Sequence, residues 1–163
     1  TWAIFDRTWY GRVLVERIEG LCTKEEWKRA YHEINEFERQ LADDGARIVK
    51  LLVHVSAKEQ KRRMIERLEK PYKHHKLGLE DFRNIAKRKQ YLEAYDDMLE
   101  KTDTEHAPWH VIASDDKRQA RLIALGIVVD ALSDGVKIER NELDPAIARA
   151  AYKLWGWKPD EKK

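Results

Sequence analysis

The order of strand-like and helix-like segments predicts an α/β protein with a parallel sheet flanked by helices. Three observations carry this. Short apolar runs at 2–5, 48–55 and 109–113 have the length of buried strands. Helical periodicity fills the intervals between them. Strands separated by helices run parallel, because parallel pairing needs the long crossover that a helix supplies.

The elements follow in order. Trp2, Ile4 and Phe5 read as the middle of a buried strand that leads into a polar turn and a short helical segment ending at Gly20. Thr23 and Glu26 have capping-box spacing, and Trp27, Ala30, Tyr31, Ile34, Phe37 and Leu41 then recur on one helical face. Gly45 ends that helix, since glycine takes a left-handed backbone without steric cost. After the β-branched run 48–55, Ser56 and Glu59 repeat the capping-box spacing, and the helix they open runs to about Lys70, before Pro71. A basic loop to about Gly78 and a long helical pattern to about Lys101 make a helical excursion from the core. The run 109–113 is the last strand, and Leu122, Ile123, Leu125, Val129 and Leu132 give the last core helix. One domain is expected over 1–133, with the excursion at about 62–90, followed by a linker and a helical tail over 134–163. The tail aromatics Tyr152, Trp155 and Trp157 serve a subunit contact or dock on the core; both readings stand.

Composition narrows the function classes. The 32 Lys and Arg nearly balance 30 Asp and Glu, so a net charge of +2 gives no whole-molecule attraction to nucleic acid. Any anion site is local. A single cysteine excludes an internal disulfide framework, and no apolar leader or long apolar run stands at the N-terminus, which points to the cytoplasm and away from membranes. The chain opens without Met in the middle of an apolar run, so an upstream segment is expected to be missing.

Asp6 falls at the carboxyl end of the first expected strand, where open α/β sheets form ligand crevices. A carboxylate there can hold magnesium against phosphate oxygens, with Arg7 neutralising a phosphoryl group. Equally, Asp6 can cap the next helix beside a surface arginine. Between residues 58 and 76 stand eight basic side chains (Lys58, Lys61, Arg62, Arg63, Arg67, Lys70, Lys73, Lys76) against Glu59, Glu66 and Glu69. Of these, Arg63, Arg67, Lys73 and Lys76 are the phosphate-binding candidates, while Lys58, Lys61 and Lys70 fit a solvated helix face. Asp115, after the last strand, faces a nucleotide or caps the final helix, and capping is the expected role. The histidines, His74 and His75 among them, lack the spacing of a metal site. Cys22 has no partners that would make it a nucleophile.

The string Phe5-Asp6-Arg7-Thr8-Trp9-Tyr10-Gly11-Arg12, continued by Val15-Glu16-Arg17 and Gly20, resembles the polyphosphate kinase 2 family, whose string is close to F-D-R-S-W-Y-N/G-R followed by V-E-R and Gly. The resemblance extends through Asn35-Glu36-Phe37-Glu38, Lys50 to Ser56, Arg62-Arg63, Asp96-Asp97-Met98, Thr102-Asp103-Thr104 and Asp115-Asp116-Lys117, over some four fifths of the chain. It implies a P-loop nucleotide kinase-like fold, incomplete at the N-terminus, with a helical lid. It also implies magnesium-dependent transfer of a terminal phosphoryl group between inorganic polyphosphate and AMP, ADP or GDP, in a homo-oligomer. By motif match Asp6 is catalytic and the metal ligand, Arg7 and Arg12 contact phosphates, and Arg17 either binds phosphate or forms an ion pair between helices. One departure is visible: family lids often carry a Trp before the lysine matched by Lys76, where this chain has His74-His75. No G-x-x-x-x-G-K loop occurs among the seven glycines, so the chain by itself is expected to be inactive. A non-catalytic anion-binding or oligomerisation module and an ATP-dependent nucleoside monophosphate kinase relative are the competing readings.

Overall fold

The computed structural model describes residues 2–137 and 142–158. Two compact units are present, Thr1–Leu132 and Ser133–Lys163. In the first, a 3₁₀ turn at Trp9–Gly11, a π turn at Arg12–Glu16 and α1 (Arg17–Glu19) run continuously into Gly20, whose φ of 69° closes the segment. In α2 (Lys24–Asp43) the capping box is complete: Thr23 Oγ1 accepts from the Glu26 amide at 3.3 Å, and Glu26 Oε2 accepts from the Thr23 amide at 2.7 Å. Gly45, at φ 86°, follows it as expected.

Two strands form the described sheet, β1 (Lys50–His54) and β2 (Trp109–Ala113), parallel and in register from Lys50 opposite Trp109 to His54 opposite Ala113. Their crossover contains α3 (Ala57–Glu69), a 3₁₀ turn (Pro71–Lys76), α4 (Leu79–Ala86) and α5 (Arg88–Thr102). α6 (Lys117–Ser133) follows β2. The core gathers Tyr10, Val13, Ala30, Tyr31, Ile34 and Met98, so the motif segment packs between α2 and α5. The second unit contains α7 (Pro145–Trp155), capped by Asp144 and ended by Gly156 at φ 67°.

Six expectations need correction. Residues 2–5 form no strand: Trp2 is 71% and Ile4 92% exposed, because apolar β-former content makes a strand only where a neighbour supplies ladder partners, and the described sheet ends at two strands. Asp6 therefore lies in an exposed turn rather than at a strand end. Ser56 caps α3 one-sidedly: its hydroxyl accepts from Glu59 N, but its own amide goes to Asp115 Oδ1 at 2.8 Å, since the Glu59 carboxylate is taken by Arg62 and Arg63. Asp115 thus clamps the ends of the two strands, and Asp116 caps α6 through the amides of Arg118 and Gln119. Finally, the long helix expected up to Lys101 is broken at Lys87, whose ammonium reaches Glu19 at 3.0 Å and the Ile18 carbonyl at 3.3 Å. The apolar stripe of α6 is helical as read, yet Leu122, Leu125 and Val129 are exposed, because a two-stranded sheet offers too little face to cover it.

Candidate functional site

The motif segment turns its residues two ways. Asp6 and Arg7 face solvent, and among the described residues neither has an ion-pair or hydrogen-bond partner. Arg7 has φ 62°, a left-handed backbone that a side chain with Cβ adopts at a cost, and such strain persists where surrounding structure enforces it. Thr8 then caps the 3₁₀ turn, accepting from the Tyr10 amide at 3.3 Å. Arg12, half-exposed, pairs with Glu16 at 2.9 Å one π turn later.

Trp9 and Tyr10 point inward onto a buried polar cluster. Trp9 Nε1 and Tyr10 Oη both donate to Glu38 Oε1, at 3.0 and 2.9 Å. Lys50 Nζ donates to Glu38 Oε2 at 2.8 Å, to Tyr10 Oη at 2.9 Å and to the Thr102 carbonyl at 2.7 Å. Trp109 Nε1 completes the set, donating to Thr102 Oγ1 at 2.9 Å. Glu38 is 0% and Lys50 6% exposed, so the cluster is dry and every Lys50 proton has an acceptor. Burial pushes the Tyr10 phenol far above its ordinary range, keeping it a donor, and burial also lowers Lys50 against the upward pull of Glu38.

The basic segment separates into paired and unpaired cations. Glu59 accepts from Arg62 and Arg63, and those hydrogen bonds hold its carboxyl down at about 2. Glu66 accepts from Lys70 and Lys73, which likewise hold it at about 2. Arg63 also donates to the carbonyls of Ser114, at 2.5 Å, and Asp115, at 3.1 Å, bracing the end of β2. Arg67, half-buried, donates to the Met64 sulfur at 3.7 Å, and neither it nor the exposed Lys76 has an acidic partner among the described residues. Of the four phosphate-binding candidates here, Arg67 and Lys76 have their charge available, whereas Arg63 and Lys73 are engaged with the protein.

Arg17 is engaged as well, joining three elements: it donates to Asp97 at 2.8 Å and Tyr31 at 3.0 Å, and its guanidinium lies 4.2 Å from the centre of the Trp27 ring. Hydrogen bonding from Lys101 first, then from Arg17, keeps the Asp97 carboxyl below its usual range.

The charge of Arg7 is felt on α5. The Tyr95 phenol, raised by burial, feels the charges of both Arg88 and Arg7, and Tyr91 feels Arg7 as well. Arg88 itself holds the Val55 carbonyl, just past β1, at 2.8 Å. The Asp6-Arg7 turn thus stands within electrostatic reach of α5, whose first residue braces the end of β1. Beside the turn, a cleft of 420 Å³ opens between Thr8, Trp9, Arg12 and the α2 residues Arg29, Glu33 and Phe37.

Among the described residues no three His, Cys, Asp or Glu side chains gather. A magnesium ion that bridges phosphates needs only one or two carboxylates, its other ligands being water and phosphate oxygens, so the unpartnered Asp6 carboxylate fits such an ion. Functional reading of the sequence passed over Glu38, Lys50, Arg88 and Glu19. Glu38 and Lys50 did lie within the strings that carry the resemblance, but a Glu and a Lys without periodic spacing give no sign of burial.

The comparisons with known proteins agree with that resemblance. The sequence model of the family Polyphosphate kinase 2 matches residues 1–140. Over 137 residues the chain is 47% identical to the polyphosphate:AMP phosphotransferase of Pseudomonas aeruginosa, covering 84% of this chain and 28% of that protein. Over 129 residues it is 38% identical to the AMP/ADP-polyphosphate phosphotransferase of Meiothermus ruber, covering 79% of this chain and 48% of that one. A crystal structure of polyphosphate kinase 2 from Arthrobacter aurescens TC1 superposes with a TM-score of 0.79 at 38% identity, covering 91% of this chain and 53% of the other. The chain therefore spans from about a quarter to about half of the length of these relatives. With its motif segment, its parallel β1–β2 pair and its basic α3 all inside the matched region, the chain belongs to the polyphosphate kinase 2 family.

Proposed function

We propose that the protein moves a terminal phosphoryl group between inorganic polyphosphate and a nucleoside mono- or diphosphate, with AMP favoured because the relatives at 46–47% identity are named polyphosphate:AMP phosphotransferases. The observation that carries this reading is the family match over residues 1–140, within which Asp6, Arg7 and Lys76 are exposed without ion-pair partners among the described residues. Phosphoryl transfer requires little covalent chemistry from a protein. It requires positioning and cations where charge spreads over the phosphate oxygens.

In this reading Asp6 holds magnesium, which when bound neutralises oxygens of adjacent phosphates. Arg7 donates to the phosphoryl group, and Arg12 joins it by exchanging Glu16 for phosphate. Arg67 and Lys76 bind the polyphosphate chain, each contributing charge that no carboxylate among the described residues has claimed. Residues 62–90 act as the lid: closure carries Arg67, Lys73 and Lys76 over the phosphates and excludes water that would intercept the phosphoryl group. Lys73 takes part once it leaves Glu66, while Arg63 braces the base of the lid. Arg17 supports the motif helix through Asp97 and reaches phosphate only if that pair opens.

The test is transfer from polyphosphate to AMP, ADP and GDP by the full-length encoded protein, assayed with magnesium and with excess chelator. Asp6→Asn is expected to lower kcat by at least about a hundredfold, the scale of losing a group that acts on transition-state charge. Transfer from ATP but not from polyphosphate would overturn the reading.

A further inference from the structure

We infer that the buried Glu38–Lys50 pair positions the catalytic turn, acting through Trp9 and Tyr10 rather than on substrate. The inference rests on the proposed role of Asp6 and Arg7. Its geometry is direct. Two consecutive side chains of the motif, Trp9 and Tyr10, donate to the same carboxylate oxygen of Glu38, and Lys50 holds the other oxygen at 2.8 Å while also donating to Tyr10 Oη. The Lys50 ammonium has its third acceptor in the Thr102 carbonyl at the end of α5. One orientation of the cluster satisfies every donor.

Such a pair is an expensive way to fill space. Desolvating two charges cancels most of their attraction, and apolar side chains of similar volume would hold α2 against β1 equally well. What the charged version supplies is direction: hydrogen bonds to ionised acceptors fix angles that apolar contacts leave free. The direction is imposed where it matters, because Arg7, in its left-handed backbone, stands two residues before Trp9. So short a lever transmits the position of the anchored indole to Asp6 and Arg7. Phe37 adds an edge contact to Trp9, with ring centres 4.9 Å apart, so that two adjacent residues of α2 hold the indole.

Tyr10→Phe tests this with little risk to folding, since it keeps the ring and deletes only the hydroxyl shared by Glu38 and Lys50. Trp9→Phe deletes the other donor. Both are to be made in the full-length protein and followed by hydrogen exchange of the peptide covering 5–12, by melting temperature and by steady-state kinetics. The expected result for either variant is exchange over 5–12 faster by about tenfold, with α2 and β1 unchanged. Alongside it, kcat falls by about tenfold while KM for polyphosphate stays within about twofold. Unaltered exchange over 5–12, or a lowered melting temperature with an unchanged kcat, would overturn the inference and leave the cluster a purely structural one. If the unsubstituted protein transfers no phosphoryl group, the proposed function fails, and the exchange measurement still decides whether the pair holds the turn.

Discussion

Lys50 and Lys76 carry the same charge to opposite ends. Lys50 sits at the start of β1, 6% exposed, with each proton given to the protein: Glu38, Tyr10 and the Thr102 carbonyl. Lys76 ends a 3₁₀ turn in solvent, with no acidic partner among the described residues. The same division runs through the whole site, with Arg17 and Arg63 spent on internal acceptors and Arg7 and Arg67 not. A phosphate competes poorly for a cation whose donors are already satisfied in a dry cluster, so local counts of Lys and Arg overstate the charge available to an anionic chain.

The largest effect that would sharpen this contrast comes from the buried side. Lys50→Met leaves the Glu38 carboxylate buried without its counter-charge, and the expected loss is roughly 3–5 kcal/mol of folding stability. Denaturant titration measures it directly, and a loss under about 1 kcal/mol would show that water reaches Glu38 and that the cluster is not dry. Arg17→Ala is expected to cost less, about 1–3 kcal/mol, because its bonds to Asp97 and Tyr31 and its stacking on Trp27 are only partly shielded. Arg17→Lys should recover only part of that, since a point charge cannot serve two acceptors and a ring face together. If Arg17→Ala raises KM for polyphosphate without lowering stability, Arg17 belongs with the binding cations and the division fails there.

The exposed side predicts the reverse signature. Arg67→Ala with Lys76→Ala is expected to leave stability within about 0.5 kcal/mol, because neither charge has an acidic partner among the described residues and Arg67 gives up only a weak contact with the Met64 sulfur. KM for polyphosphate should rise roughly three- to tenfold, the worth of a charge-assisted hydrogen bond or two. Arg62→Ala is the control: its guanidinium is shared between Glu59 and Glu66, so KM should hardly move.

How much of this was legible beforehand follows from the same physics. Periodicity and caps located α2, β1, α3, β2 and α6, because those signals are local: Thr23 and Glu26 lie within one turn of each other. The parallel pairing followed from the order of the elements. Residues 2–5 misled, because a strand is completed by a neighbour that the run itself does not encode, and the apolar stripe of α6 misled about burial for a similar reason. Asp115 and Asp116 are adjacent acids with different tasks, decided by which one the start of α3 approaches. The site divides in the same way. The motif string pointed to Asp6, Arg7 and Arg12, but the state of each basic residue depends on an acid that reaches it through folding: Arg17 meets Asp97 from across the chain, and Lys50 meets Glu38 only when β1 lies against α2.

The smallest effect concerns the one place where the two classes of cation meet. Glu66 collects Lys70 and Lys73 from the start of the 3₁₀ turn, and hydrogen bonding from Lys70, then Lys73, holds its carboxyl at about 2 against an ordinary 4.5. A depressed carboxylate contributes stability that is complete above the ordinary value and disappears as pH falls through the lowered one. The contribution of Glu66 is therefore complete at pH 5 and above, and declines between about 4.5 and 2. Protonation there weakens the ion pair that holds Lys73. Denaturant midpoints measured from pH 6 down to pH 2 should fall less steeply between pH 4.5 and 2 in Glu66→Gln than in the parent, with the difference small because the group is solvated. At neutral pH the same substitution releases Lys73 permanently, and polyphosphate should bind the variant slightly more tightly. Weaker binding would mean that Glu66 holds Lys73 in the position from which it meets phosphate, and the line between spent and available cations would then run on the other side of Lys73.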